Sequence, residues 1–460
     1  MMKNESNTQL KRSLGLSTVM LSVIGMVIGS GVFFKPQAVY TITGGAPGIG
    51  LLIWVFAGLI TLFGGLTTAE LAASIPKTGG LVSWVEKCFG QGLGYLLGWC
   101  ESVVFWPANV GALGTIFSIQ ALKLIGVSDK YTIPFAIFMV FFLIVCNCLG
   151  ANVGGMIGNV FTVAKLVPLA VIILMAFTST QSSPENLTPF IQRGDSFIAI
   201  FATGMLTCMY AYDGWIHVGN AAGEMKNPKK DLPKAIVLGL SIVILVYAVI
   251  NIGYLLVIPA DQLANTATPA ADVAAKLMGG NMGAKLITVG ILIAVFGTLN
   301  SNIMMGMRIP YAMGVQNKLP FSKQFAYLHP KYATPVVSGI FLLAVTSIMI
   351  ISGSYNSLTD MCMFVIWIFY TIAFYGVIKL RRDEPDLKRP YKTPLYPLIP
   401  ILAILGGLFV VIITVFTQPV NALIGVGLTL LGLPIYLSRK DKFKDLSHLD
   451  EDGNGETGDL

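Results

Sequence analysis

The apolar runs of this chain constrain its fold more than any other feature. Many of them reach about 18 residues or more, long enough for a helix to cross roughly 30 Å of hydrocarbon. Because a backbone in lipid must satisfy its own N–H and C=O groups, we expect these runs to form membrane-spanning α-helices. The composition agrees, since 55% of the residues are hydrophobic and 12% are charged, whereas soluble proteins carry roughly 25% charged residues.

Turn-rich stretches such as TGGAPG, GANVGG and EMKNPKKDLPKA divide the apolar sequence into separate spans. The first run is long and no small-residue cleavage site follows it, so we expect a retained helix rather than a secretory signal. SWVEKCFGQGLG and PAADVAAKLMGG are predicted to form short interfacial helices. The sequence predicts twelve spans, at residues 14–41, 47–74, 92–122, 131–149, 156–178, 196–221, 234–258, 283–312, 334–352, 358–380, 396–416 and 419–437.

The basic residues predict the orientation of the chain. With twelve spans, 23 of the 30 lysines and arginines fall on one side, in the two termini and in the loops after the even-numbered spans. By the positive-inside rule this side is cytoplasmic, so we expect a plasma-membrane protein with both termini inside. These solvated loops account for the net charge of +7. We therefore expect membrane lipid around the chain and no nucleic acid partner.

Cysteine and histidine usage gives no indication of a metal or a cofactor. The six cysteines lie mostly in apolar spans, and the three histidines form no cluster with them. The sequence contains no catalytic triad, metal-ligand cluster or phosphate-binding loop, which argues against an enzyme or a channel. We predict no cofactor, no metal site and no catalytic residue.

Two spans contain residues that weaken a helix near the middle of the membrane. VIGMVIGSGVFF in span 1 holds Gly25, Gly29 and Gly31, although each glycine costs a helix about 1 kcal/mol relative to alanine. Span 6 contains CMYAYDGW, with Asp213 and Gly214 at mid-depth. Paired interruptions in corresponding spans of two repeats are the best sequence indicator of a transporter binding site. The alternative is close helix packing through small residues.

An interrupted helix can bind both ends of an amino acid backbone. Free N–H groups and the positive dipole end of the outer half-helix, after Gly31, attract a carboxylate. Freed carbonyls at the end of the inner half-helix attract an ammonium group. The predicted substrate-binding residues are Ile28, Gly29, Ser30, Gly31, Tyr210, Ala211, Asp213 and Gly214.

These motifs resemble a known family over essentially the whole chain. Five motifs are similar to those of the L-amino acid transporter branch of the amino acid–polyamine–organocation superfamily. They are VIGMVIGSGVFFKP, YAYDGW…AAGEMKNPKKDLPKA, IPKTGGLVSWVE, AKLVPLA and KRPYKTPLYPLIP. Within it, the chain looks most like bacterial serine/threonine and alanine-serine-cysteine exchangers. The resemblance implies a LeuT-type fold with a five-plus-five inverted repeat and exchange by alternating access. The implied organisation is an N-terminal segment 1–13, a first repeat 14–178, a second repeat 196–380, helices 11 and 12 at 396–437, and a disordered cytoplasmic tail 438–460.

Three ionisable residues lie inside predicted spans, where they need a partner and usually have a function. Lys165, about nine residues into span 5, is expected to donate to freed carbonyls of span 1 near Gly25 and Met26. The resemblance implies that a lysine here makes a transporter sodium-independent; structural pairing and proton coupling are the alternatives. Asp213 is expected to cap freed N–H groups or, less favoured, to contact substrate. Glu101 is predicted to be structural.

Gating residues are also predicted. The resemblance implies that Tyr210 covers the substrate from outside, with packing against span 10 as the alternative. Tyr247 needs a partner for a mid-membrane hydroxyl, and Thr298 and Ser301 are expected to face the same cavity. Trp215 is predicted to be a packing residue. Glu70 and Lys77, near the cytoplasmic end of span 2, are weaker candidates for an ion pair at the inner gate.

The predicted function is sodium-independent exchange of small neutral L-amino acids, namely alanine, serine, threonine and cysteine. There are two alternatives. One is a proton-coupled symporter in which Lys165, Asp213 or Glu101 carries the proton, and the other is a polyamine or basic amino acid antiporter anchored by Asp213.

Animal members of the branch attach a glycoprotein subunit through a cysteine in the loop between spans 3 and 4. Here KLIGVSDKYTIP contains no cysteine, so we expect no disulfide-linked heavy subunit.

Overall fold

The computed structural model describes residues 14–75, 79–149, 164–191 and 197–443, with side chains omitted for 220–224. Within these ranges the fold is helical, and an isolated bridge joins Leu14 to Met225. The predictions for segment 1–13, the start of span 5 and most of the tail fall outside the described residues. The helices are α1 (Leu16–Val27), α2 (Gly31–Ile42), α3 (Pro47–Ser74), α4 (Gly80–Phe89), α5 (Gln91–Cys100), α6 (Trp106–Ile125), α7 (Thr132–Cys148), α8 (Leu166–Thr178), α9 (Phe197–Ala211), α10 (Pro228–Val257), α11 (Ala260–Ala264), α12 (Pro269–Leu277), α13 (Asn281–Val315), α14 (Ser322–Phe325), α15 (Val336–Ser352), α16 (Tyr355–Asp383), α17 (Leu398–Thr417), α18 (Pro419–Leu430) and α19 (Gly432–Arg439).

The described part of the chain contains nine helical segments long and apolar enough to cross a membrane, or ten when the bent pair α1 and α2 counts as one span. Two shorter apolar helices, α8 and α15, coincide with predicted spans 5 and 9. Observed and predicted boundaries agree within a few residues for most spans, and α3 matches its prediction at both ends. The protein is therefore a multi-pass membrane protein, as its sequence predicts.

Both predicted interruptions are present. The α1 helix ends at Val27 and α2 begins at Gly31 at an angle of 41° to it. Ile28 between them adopts an extended conformation with φ −71° and ψ 97°. The α9 helix ends at Ala211, and a 3₁₀ helix follows only from Trp215. The two breaks predicted from glycine placement are confirmed as breaks in the backbone.

The helices around the two breaks form the core of the molecule. The α10 helix packs against α1 and α3, and α9 packs against α2 and α3, so the broken helices are enclosed by continuous ones. Large apolar side chains on the outside, such as Leu174 and Leu423, are 66% and 74% exposed, which suits contact with lipid tails. The predicted short helices are confirmed as α4 and α12.

Candidate functional site

A cavity of about 420 Å³ lies beside both breaks. It extends from Ser30 along α1 to Thr18, toward the end of the bundle at which α1 begins. Six predicted substrate-binding residues line it, together with both predicted residues of α13. These eight are Gly29, Ser30, Gly31, Tyr210, Asp213, Gly214, Thr298 and Ser301.

Ile28 and Ala211 do not line the cavity, unlike the other predicted binding residues. Both are buried, with 1% exposure each, in the packing behind the breaks. A Cβ built on Gly31 would lie 2.6 Å from the Ala211 Cα. The Ala211 backbone thus occupies the space that Gly31 leaves open, which makes it a packing partner of the break.

Main-chain groups at the first break lack the partners that a continuous helix would supply. Among the described residues, no acceptor faces the N–H groups of Gly29, Ser30 and Gly31, whereas the Ser30 carbonyl accepts from the next turn of α2. Three N–H groups at the start of α2 are thus left without a hydrogen-bond partner among the described residues, as is usual at helix N-termini.

The second break brings its backbone against the first. Gly214 has φ +106°, a conformation that side chains rarely adopt, and a Cβ built there would lie 2.9 Å from the Met26 carbonyl oxygen. A glycine is needed at this position for both reasons. The arrangement places the last turn of α1 beside the loop after α9.

Lys165 makes the contact that the sequence predicts. Its ammonium donates a hydrogen bond to the Gly25 carbonyl, in the last turn of α1. The residue is 4% exposed and immediately precedes α8. It therefore places its side-chain nitrogen at a carbonyl that the break has freed.

Tyr247 on α10 connects the two breaks. Its hydroxyl lies 3.1 Å from the Val27 carbonyl oxygen and 2.9 Å from the Ala211 carbonyl oxygen. These carbonyls are the final ones of the inner half of span 1 and of α9. Tyr247 does not line the cavity, so its hydroxyl stabilises the break geometry from behind.

Asp213 is held by a neighbouring side chain. Its carboxylate accepts a hydrogen bond from the Tyr370 hydroxyl at 2.8 Å. The capping role expected of Asp213 stays a prediction. Trp215 is fully buried with its ring 6.0 Å from that of Tyr370, as expected of a packing residue.

Glu101 begins a π-helical turn, Glu101–Phe105, that joins α5 to α6. It is 2% exposed and is not part of the cavity wall. Turns of this kind occur frequently at functional sites in helices. The structural role predicted for Glu101 stays a prediction.

Tyr210 closes the end of the cavity that lies away from Thr18. Its hydroxyl is 3.5 Å from the Ser30 hydroxyl and donates to the Asn109 side-chain oxygen at 3.4 Å. Its ring packs edge-to-face on Tyr355 of α16, whose hydroxyl is 3.1 Å from that of Ser30. The packing of Tyr210 against span 10 is therefore present, whereas its role of covering the substrate from outside stays a prediction.

A buried ion pair that the sequence reasoning missed lies beyond this tyrosine layer. Lys35 of α2 is fully buried, and its ammonium lies 3.7 Å from an Asp360 carboxylate oxygen of α16. It also donates to Asn356 and Thr359, and it lies about 5 Å from the ring centres of two tyrosines, Tyr210 and Tyr355. Both charges stand inside apolar runs, so the rule that singled out Lys165 would have found them.

Glu70 has a partner other than the predicted one. Its carboxylate accepts two hydrogen bonds from Arg381 of α16, at 2.8 and 2.6 Å, and one from the Thr393 backbone N–H at 2.7 Å. Arg389 lies 3.5 Å away. Lys77 falls outside the described residues. The sequence alone does not indicate these partners, because each lies more than 300 residues from Glu70 along the chain.

A bundle of spanning helices with two interrupted helices around one cavity defines a membrane transporter. The chain matches the family described as Amino acid permease over residues 14–437. It belongs to that family, within the amino acid–polyamine–organocation superfamily. The resemblance seen in the sequence motifs is thereby confirmed.

Named relatives support the same assignment. The chain is 36% identical to the serine/threonine exchanger SteT of Bacillus subtilis, over 94% of this chain and 98% of the relative. It is 29% identical to the human large neutral amino acids transporter small subunit 2, over 93% and 80% of the two chains. It is also 29% identical to the human cystine/glutamate transporter, over 94% and 86%. The chain is thus an amino acid transporter and not an enzyme.

Proposed function

We propose that this chain is a sodium-independent exchanger of small neutral L-amino acids, with alanine, serine, threonine and cysteine as its substrates. It acts by alternating access in the plasma membrane, with twelve spans in a five-plus-five inverted repeat and both termini in the cytoplasm. The single observation that carries the proposal is the pair of backbone breaks beside one cavity, with unpaired N–H groups at Gly29, Ser30 and Gly31.

We infer from the break geometry where each end of a zwitterion binds. The substrate carboxylate binds the free N–H groups at the start of α2. Its ammonium binds carbonyls at the end of α1; Gly25 and Val27 already accept from Lys165 and Tyr247, which leaves the Met26 carbonyl for the substrate. The sites for both charges are supplied by main chain, so they select the amino acid backbone rather than a particular side chain.

Sodium independence follows from Lys165 in this proposal. A sodium ion coupled to transport needs freed carbonyls as ligands, and the Lys165 ammonium already donates to the carbonyl of Gly25. A second cation beside it would be repelled. The lysine charge takes the place of the ion.

In the proposed orientation, the cavity and the closed tyrosine layer support the assignment of an inward-open state. The cavity reaches Thr18 near the start of α1, the end that the positive-inside rule assigns to the cytoplasm. Tyr210, Tyr355 and the Lys35–Asp360 pair close the other end. Exchange requires that this outer layer opens and closes readily when substrate is bound and only slowly when the cavity is empty.

Counterflow in sodium-free proteoliposomes tests the proposal. We expect uptake of labelled serine or alanine only into vesicles preloaded with a small neutral amino acid, with no change when sodium is added. Uptake into empty vesicles driven by an inward proton gradient would show a symporter instead. Strong competition by arginine or putrescine, with no counterflow of neutral amino acids, would show a basic amino acid or polyamine antiporter.

A further inference from the structure

The last described residues of the chain fold back onto the loop that follows α13. Asn317, in that loop, donates from its side-chain nitrogen to the Lys442 carbonyl oxygen at 2.8 Å. Its side-chain oxygen accepts a hydrogen bond from Arg439 at 2.9 Å. We call residues 439–443 the C-terminal clamp, because they bind this loop at two points.

An aromatic cluster fixes the end of the clamp. The Phe443 ring stacks on the ring of Tyr95 of α5, with 5.8 Å between the ring centres, and lies 5.7 Å from the ring of Tyr436 of α19. Tyr95 is 1% exposed. The position of the clamp is therefore set by packing against α5 as well as by its hydrogen bonds to Asn317.

Lys318, the next residue of the loop, lies between the clamp and α4. Its ammonium is 5.9 Å from the centre of the Phe443 ring and 3.2 Å from a carboxylate oxygen of Glu86 on α4. The Lys318 side chain is 8% exposed and the Glu86 side chain is 32% exposed. The ion pair is thus partly removed from water, so salt screens it less than a fully exposed pair.

The α4 helix connects this ion pair to the wall of the cavity. Trp84, two residues before Glu86, is 1% exposed. A Cβ built on Gly219 would lie 2.8 Å from the Trp84 ring, so this ring packs directly on the 3₁₀ helix Trp215–Glu224 that follows the second break. His217 of the same 3₁₀ helix lines the cavity. A continuous row of contacts therefore runs from the clamp to the cavity.

We propose that Lys318 is a positioning residue for alternating access. Covered by Phe443 of the clamp, it holds α4, and through α4 the 3₁₀ helix, in the position that leaves the cavity open toward Thr18. This inference rests on the proposed function, because it requires the cavity to open and close at this end.

The two sides of the ion pair are attached to different parts of the molecule. Glu86 follows the 3₁₀ helix, because Trp84 packs on Gly219. Lys318 follows α13, α5 and α19, because the clamp joins these three helices. When the 3₁₀ helix moves to close the cavity, Glu86 moves away from Lys318. The pair stabilises the open state and not the closed one, which shifts the equilibrium toward opening.

Distances between spin labels test the inference. The labels are attached at Lys229→Cys, near the start of α10, and at Lys331→Cys, between α14 and α15; both positions are exposed. The partly exposed native cysteines, Cys146 and Cys148, are replaced by serine. Double electron–electron resonance in detergent then gives the ratio of long (open) to short (closed) distances, whichever way the protein is oriented in a membrane.

In Lys318→Met we expect this ratio to fall about threefold to fivefold, the effect of one partly screened ion pair. Lys318→Arg keeps the charge and should keep the wild-type ratio. Lys323→Met makes the same substitution at an exposed lysine of α14 and should also leave the ratio unchanged. An unchanged distance distribution in folded Lys318→Met overturns the inference.

A second variant separates the inference from a folding defect. Phe443→Ala uncovers Lys318 without removing it and should lower the ratio in the same direction, whereas Phe321→Ala, at a side chain that is 74% exposed, should not. If Lys318→Met does not fold, Phe443→Ala decides, and an unchanged ratio in that variant overturns the inference. The distances are measured without transport, so absence of counterflow by every neutral amino acid refutes the proposed function separately.

Discussion

Gly31 shows how a single residue permits the two broken helices to meet. Its missing side chain leaves room for the Ala211 backbone, which approaches to 2.6 Å from where a Cβ would stand. Backbone atoms cannot move aside as the end of a flexible side chain can. The glycine that weakens span 1 as a helix is therefore also the one that lets span 6 contact it.

We predict that Gly31→Ala lowers the exchange rate at least tenfold, because the added methyl group separates the two breaks. The readout is counterflow of labelled serine, with size-exclusion chromatography to confirm a folded protein. Gly427→Ala is the matched control, since no heavy atom lies within 4 Å of a Cβ at that position. Normal exchange by Gly31→Ala would show that the close approach is not required.

Lys165 is the second residue for which we predict the effect of a substitution on exchange. We predict that Lys165→Ala reduces exchange by more than tenfold, because the Gly25 carbonyl then has no protein donor and the cation next to span 1 is lost. Lys285→Ala, at an exposed lysine near the start of α13, serves as the control. Transport at the wild-type rate by Lys165→Ala would refute the assigned role.

At the scale of the helices, polar contacts hold the broken segments in place. Tyr247 joins the ends of α1 and α9, and Lys35 joins α2 to α16. Glu70 and Arg381 join α3 to α16 at the other end of that helix. The α16 helix thus carries a polar contact at each end, and alternating access requires at least one of these to change.

Tyr247→Phe tests the connection between the breaks. Removing the hydroxyl leaves two buried carbonyls without this donor, at a cost of about 1–3 kcal/mol. We expect a lower thermal unfolding temperature and slower exchange. Tyr375→Phe, where the side chain is 45% exposed, should change neither quantity. Equal behaviour of the two variants would contradict the bridging role.

The Lys35–Asp360 pair is tested by a double-mutant cycle. Removing one partner of a buried ion pair leaves an uncompensated charge and costs about 3–5 kcal/mol. We therefore expect Lys35→Met and Asp360→Asn each to lower the thermal unfolding temperature, and the double variant to be more stable than either single one. Additive losses would indicate that the two charges do not stabilise each other.

At the scale of the whole molecule, the uneven distribution of basic residues is the basis of the proposed orientation. Lys130 lies in the loop between α6 and α7, and Lys331 lies between α14 and α15. Both are exposed. In the proposed topology of twelve spans with both termini in the cytoplasm, these loops lie on opposite faces of the membrane.

We predict that Lys130→Cys reacts with a membrane-impermeant maleimide in intact cells, whereas Lys331→Cys reacts only after permeabilisation. The wild type controls for the six native cysteines, four of which are buried and two of which are partly exposed. The opposite pattern would reverse the proposed orientation, and labelling of both in intact cells would require a different number of spans between them.

Much of the architecture can be predicted from the sequence because the membrane imposes simple rules. The length of an apolar run fixes a span, as for Pro47–Ser74, and a glycine or an aspartate in mid-span indicates a break. The Lys165 contact could be predicted because a buried ammonium requires carbonyls, and a break frees them nearby. Each of these inferences depends only on the local chemistry of a residue and on its depth in the membrane.

The sequence by itself determined that this chain crosses a membrane many times, where two of its helices are interrupted, and which family it resembles. Only the tertiary structure decided which side chains meet: Lys35 with Asp360, Glu70 with Arg381, and Asn109 with Asn302. It also showed that Ile28 and Ala211 pack behind the cavity instead of lining it. The physical reason is that hydropathy specifies the depth of a residue in the bilayer, whereas its partners depend on how each helix is rotated against its neighbours, and side-chain packing between distant segments sets that rotation.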